Sequence, residues 1–159
     1  CIGVEKHTPH DCRDTRKKSR ARLFSAEKNP REMWENLKGI LRNPVLREFF
    51  LKDDLNIKGI LSGVSALSVY SMLNDNLYPT YAVSKQEVGK LLENRRQIYS
   101  LDEMPGCIVQ EVGYMISFGT GGAVDPLSVA LMFTDSQMDD PRLSRAVDEM
   151  LEEAVWSRD

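Results

Sequence analysis

A chain of 159 residues, 42% hydrophobic and 28% charged, holds enough material for one packed domain, or one domain with a small appendage, and not for two ordinary domains. No apolar run approaches the roughly 18 residues that cross a bilayer. No apolar segment follows the basic start as a secretory signal requires, and Cys1, Cys12 and Cys107 make no disulfide framework. The formal net charge of −3 conceals a split: residues 1–22 carry Lys6, Arg13, Arg16, Lys17, Lys18, Arg20 and Arg22 against Glu5, Asp11 and Asp14, a balance of +4, which leaves −7 for the rest. A basic edge on an acidic body is a candidate polyanion contact, and a solvated terminus fits the same charges. These features point to a cytoplasmic protein with no membrane segment. Because residue 1 is Cys and not Met, a preceding segment of a longer polypeptide is expected.

Taken in chain order, CIGVEK (1–6) and RARLFSA (20–26) flank a polar, charged loop and outline a long-looped hairpin. Asn29 followed by Pro30, with Glu32 behind, is a helix start, because the Asn side chain and the acid satisfy N–H groups that have no partner in the first turn. The spacing of Met33, Trp34, Leu37, Ile40 and Leu41 predicts a helix from Pro30 to about Arg42 with that face buried. Asn43 and Pro44 stop it. PVLREFFL (44–51) reads equally as a short helix or an extended connector.

In ILSGVSALSVYSMLND (60–75), Ser62 can cap a helix running to about Leu73. The small residues Gly63, Ser65, Ala66 and Ser68 permit close approach by another backbone, which favours packing, or by a ligand. YPTYAV (78–83) reads as a strand, and Ser84 with Glu87 makes an S-x-x-E box opening a helix to about Glu93. QIYSL (97–101) and CIVQEVGYMISF (107–118) read as strands, and Gly119–Gly122 as a turn. Asp125-Pro126 starts a helix to about Phe133, and Asp140-Pro141 starts the last one. That last helix carries a stripe of Leu143, Ala146, Val147, Met150, Leu151, Ala154 and Val155, which must dock on the sheet or on a partner. No internal repeat occurs, and the class is α+β: a small mixed sheet flanked by helices.

The chemistry-bearing patterns are weak. Cys1, His7, His10 and Cys12 are zinc-compatible side chains, yet they lack paired C-x-x-C knuckles, so no metal site is assigned. His7 and His10 are the only histidines, which removes the commonest general base from the rest of the chain. Cys107 reads as a core residue of a strand. The GTGG run at 119–122 has no G-K-[ST] and no G-x-G-x-x-G, so it reads as a turn and not as a phosphate loop. No catalytic residue and no cofactor is assigned. The acidic pairs do not show the turn followed by D-x-D of a metal-dependent nucleotidyltransferase.

The segments MWENLKGILRNPVLREFF, ILSGVSALSVYSMLND, YPTYAVSK and AVDPLSVALMF together resemble a group of bacterial winged-helix proteins, the MarR-like or AbiEi-like regulators, over most of residues 20–159. These motifs are hydrophobic and structural, so they point to a family more than to a chemistry. The resemblance implies that residues 1–28 are the wing hairpin of a truncated winged-helix domain and residues 29–159 an α+β C-terminal domain for ligand, dimer or partner binding. It makes HTPHDCRDTRKKSR the wing tip, with Arg13, Arg16, Lys17, Lys18, Arg20 and Arg22 contacting DNA phosphates or a minor groove. A recognition helix would have to lie upstream. Ser62, Gly63, Ser65, Tyr70 and Tyr81 are the candidate ligand or partner surface. The expected partners are DNA and a protein partner or second copy. The alternatives are an antitoxin-type protein-interaction module, whose acidic C-terminal helix meets a basic partner, and a nucleotidyltransferase-like enzyme.

Overall fold

A computed structural model describes residues 29–55, 57–94, 97, 103–114 and 120–158. The expected wing hairpin, all six basic candidates for DNA contact, and the cysteines and histidines of the first twelve residues lie outside the described residues. So do most of QIYSL and the end of CIVQEVGYMISF.

Among the described residues, one four-stranded mixed sheet is flanked by six α-helices, an α+β architecture. Helix α1 (Pro30–Leu37) starts as its residues dictate: the Asn29 side chain accepts the Arg31 N–H and Pro30 occupies the first turn. It ends five residues sooner than the apolar spacing predicts. Residues 38–41 form turns, and Ile40 and Leu41 are exposed, not buried. Only Trp34 of the expected face is fully buried. Asn43 explains the abrupt change of direction. Its amide donates to the Met132 carbonyl (2.9 Å) while its oxygen accepts the Val45 N–H (2.8 Å), pinning the chain to a helix nearly ninety residues further on.

The segment left open between helix and connector is strand β1 (Val45–Leu51). It pairs antiparallel with β4 (Cys107–Val112), which runs parallel to β3 (Thr80–Ser84), which in turn pairs antiparallel with the two-residue β2 (Ile60–Leu61). The order across the sheet is β1-β4-β3-β2. From QIYSL, Gln97 bridges to Leu51.

Because strand side chains alternate, the register sorts the sheet into two faces. Phe49, Leu51, Val83, Cys107 and Val109 share one face with Val88 and Leu91 of α3 (Lys85–Glu93). As the S-x-x-E signal predicts, the Ser84 hydroxyl accepts the Glu87 N–H at the start of α3. The opposite face carries Thr80, Ala82 and Gln110. Over it lie α2 (Gly63–Tyr70), α4 (Pro126–Met132) and α6 (Pro141–Ala154), which touch one another. Leu67, Val129, Val147 and Met150 are the centre of that core.

Asp125 and Asp140 cap α4 and α6 by accepting the N–H groups of Ser128 and Arg142. The apolar stripe of α6 docks on α2 and α4, in the core that also takes in Ala82 of the sheet. A short helix, α5 (Asp135–Met138), was not expected. Its signal is nonetheless present as Thr134-x-x-Gln137, a capping box in which each side chain bonds the other's backbone N–H. No helix of the described residues is long and apolar enough to cross a membrane.

Candidate functional site

The small-residue segment after β2 joins the sheet to α2 and bonds to β3, β4 and α4. Gly63 is in the left-handed region at φ 53°, where a side chain is strained, and a Cβ there would stand 3.4 Å from the Gln110 amide. The chain therefore turns directly against β4. Its N–H points at the Met132 sulfur, 3.5 Å away.

Ser62 occupies the N-cap position of α2, but its hydroxyl does not bond the helix. It donates instead to Gln110 Oε1 (2.8 Å), and Gln110 Nε2 donates onward to Glu48 Oε2 (3.0 Å). A three-residue chain of hydrogen bonds thus runs from the fully buried Ser62 across the sheet to an exposed carboxylate on β1. One turn later Ser65, also fully buried, donates to Asp75 Oδ1 (2.7 Å) and accepts the Thr80 N–H (2.9 Å). Two neighbouring serines therefore lock the start of α2 to two strands and to the loop that follows the helix. Each buried polar atom here is paired, as the cost of an unmade bond requires.

The structure brings Ser62, Gly63 and Ser65 together, and the hydroxyls of the two tyrosines bond elsewhere. Tyr70 ends α2, and its hydroxyl donates to the Val124 carbonyl (2.9 Å), tying the helix to the segment before α4. Tyr81 points to the other sheet face, where its hydroxyl lies 3.5 Å from Asp54 Oδ2. Partial burial, and after it the Asp54 carboxylate, raise the Tyr81 phenol above its ordinary value of 10.0.

Gln110, Thr80, Glu48 and Asp75 complete the arrangement, and sequence reasoning missed all four. Gln110 sits in a strand whose neighbours are mostly apolar, and a polar residue on a buried face was the one available signal.

Chemically, the turn holds hydroxyls and one amide in closed pairs. The side chains facing it from β3 and β4 are Thr80, Ala82 and Gln110, and the carboxylates of Glu48 and Asp75 are each bonded to one member of the network. Among the described residues no group of three or more His, Cys, Asp or Glu is placed to hold a metal ion. Cys107 is fully buried on the far face, with its thiol 3.3 Å from the Asp53 carbonyl. Glu111, also buried there, is held by Arg47 through Nε (2.9 Å) and Nη2 (2.5 Å), and the Arg47 guanidinium lies over the Phe49 ring at 5.3 Å. Comparison with protein-family models, curated proteins and solved structures finds no match to this chain.

Proposed function

We propose that this chain belongs to a bacterial transcriptional regulator of the winged-helix type, in which a basic wing meets DNA and the α+β domain serves interaction or sensing in the cytoplasm. The observation that carries the reading is the partition of charge, +4 over residues 1–22 against −7 over the remainder. A polyanion is attracted to the first and repelled by the second, so the acidic body faces away from DNA. The hydrogen bonding around Ser62 and Ser65 supports a scaffolding role for these residues, because both hydroxyls are buried and committed to structural partners.

Arg16, Lys17 and Lys18 would neutralise phosphates, contributing affinity and register without base readout. The test is a DNA titration of the natural full-length protein at several salt concentrations, alongside the triple variant Arg16→Ala, Lys17→Ala, Lys18→Ala. Loss of up to three phosphate contacts lowers the slope of log affinity against log salt by about 3. Unchanged affinity and slope sink the reading.

A second reading, an antitoxin-type protein-interaction module, is favoured by the outer side of α6, where Asp148, Glu152 and Glu153 are exposed. Co-purification of a basic partner that dissociates with rising salt would support it, and no partner at any salt would remove it.

A further inference from the structure

We propose that the groove between α1, α5 and α6 is a docking site for a basic amphipathic helix of another protein. The proposal rests on the interaction role assigned above to the α+β domain and names the surface and the chemistry of its partner. The groove encloses about 710 Å³. Its floor is apolar, built by Trp34, Phe133, Met138 and Leu151, and Leu41 stands at its mouth, 45% exposed. That exposure follows from the early end of α1: the turns at 38–41 carry Leu41 out of the core and set it beside the opening.

The rim is acidic. Glu35, Asp135 and Asp148 line the groove, and the one cation among the lining residues, Lys38, is taken up by Glu35 at 2.6 Å. No cation is paired with Asp135 or Asp148 among the described residues, although nearby acids of α6 are paired: Glu149 with Arg145 and Glu152 with Arg31. Two uncompensated carboxylates above an apolar floor are the complement of a helix that presents an apolar stripe flanked by lysine or arginine. A second copy of this chain fits less well. Its α6 would bring a further row of acids against the same carboxylates.

The test uses a helical peptide of about 14 residues with leucine at i, i+3, i+4 and i+7 and lysine on its other face, beside the same peptide with glutamate replacing lysine. Both are titrated by fluorescence anisotropy at about 0.05 M and about 0.3 M salt. The receptors are the protein, the double variant Asp135→Asn, Asp148→Asn, and Leu41→Ser. Leu41→Ser changes an exposed side chain without adding charge, and its fold is checked by circular dichroism.

The lysine peptide is expected to bind about tenfold or more tightly than the glutamate peptide. The double variant should lose most of that preference together with its salt dependence, and Leu41→Ser should weaken binding about tenfold. Equal affinity for the two peptides, wild-type binding by Leu41→Ser, or no binding of the lysine peptide overturns the proposal. So does a dimer that Leu41→Ser dissolves while the lysine peptide fails to bind, which would assign the groove to a second copy. Salt-sensitive DNA binding that persists when the peptide fails removes the groove and leaves the regulator reading standing.

Discussion

The two faces of the sheet are held together by different means. One face supports α2, α4 and α6, and its core runs through Leu67, Val129, Val147 and Met150, layers of side chains contributed by helices that also touch each other. Among the described residues the other supports α3 alone, and its smaller core of Phe49, Leu51, Val83 and Val109 is finished at one end by the ion pair of Arg47 with Glu111. Polar groups are treated differently as well. On the helix-rich face the buried groups are neutral, Ser62 with Gln110 and Ser65 with Thr80, and they pass their hydrogen bonds on to the exposed carboxylates of Glu48 and Asp75. On the thinner face a buried carboxylate is compensated by an arginine whose outer half is in water. The helix-rich face keeps its carboxylates at the periphery, where water solvates them, whereas at the edge of the other face a cation reaches in from outside to a buried one.

The largest expected effect tests that contrast directly. Leu67→Ala empties a fully buried site between two helices and the sheet and should cost about 3 kcal/mol, against about 2 kcal/mol for the same change at the equally buried Leu51 on the thinner face. Urea unfolding of both variants measures the difference, and equal losses would mean that the two faces do not differ as cores. Next in size is Arg47→Met. It keeps an unbranched stem but takes the guanidinium away from Phe49 and strands the buried Glu111 carboxylate, and should cost about 2 kcal/mol, less than for a fully buried pair because Arg47 is already half in solvent.

Gln110→Leu, on the helix-rich face, should cost about 1 kcal/mol by leaving the Ser62 hydroxyl without an acceptor. Adding Ser62→Ala should recover part of that loss, since removing both polar partners leaves nothing unsatisfied. If the double variant is simply the sum of two losses, the bond is not what joins the two residues. The smallest effect concerns α6. The Arg142 N–H, and then its side chain, hold the Asp140 carboxyl below its ordinary value of 3.8. A lowered carboxylate contributes stability above 3.8 that is lost as the pH falls toward its folded-state value. Asp140→Asn, which can still cap the helix, should flatten the acid limb of the stability profile in that window and leave neutral pH little changed.

Much of the helical framework was legible in the residues. Asn29-Pro30, Ser84 with Glu87, Asp125-Pro126 and Asp140-Pro141 each mark a start that the structure places at the same residues. Helix ends were less legible. The apolar spacing through Leu41 continues past the point where α1 stops, because Asn43 is bonded to Met132 from a helix whose position that spacing does not encode. The candidate site was legible in part. Small residues around Ser62 marked a close approach, and the close approach is there, but its counterpart Gln110 is 48 residues away. Tyr81 adjoins the same residues through β3 and yet faces the other way, because one step along a strand reverses the side chain.

By itself, then, the sequence determined where most helices begin, the α+β class, and the division of charge between a basic start and an acidic body. A cap, a first-turn proline and a net charge are set by residues within a turn of each other or by simple composition. Only the tertiary structure decided that VLREFFL is a strand, which face of the sheet each strand residue joins, and that Ser62 turns from its own helix to an amide on β4. Those outcomes depend on partners far along the chain, and pairing them requires a register and a burial that no local pattern carries.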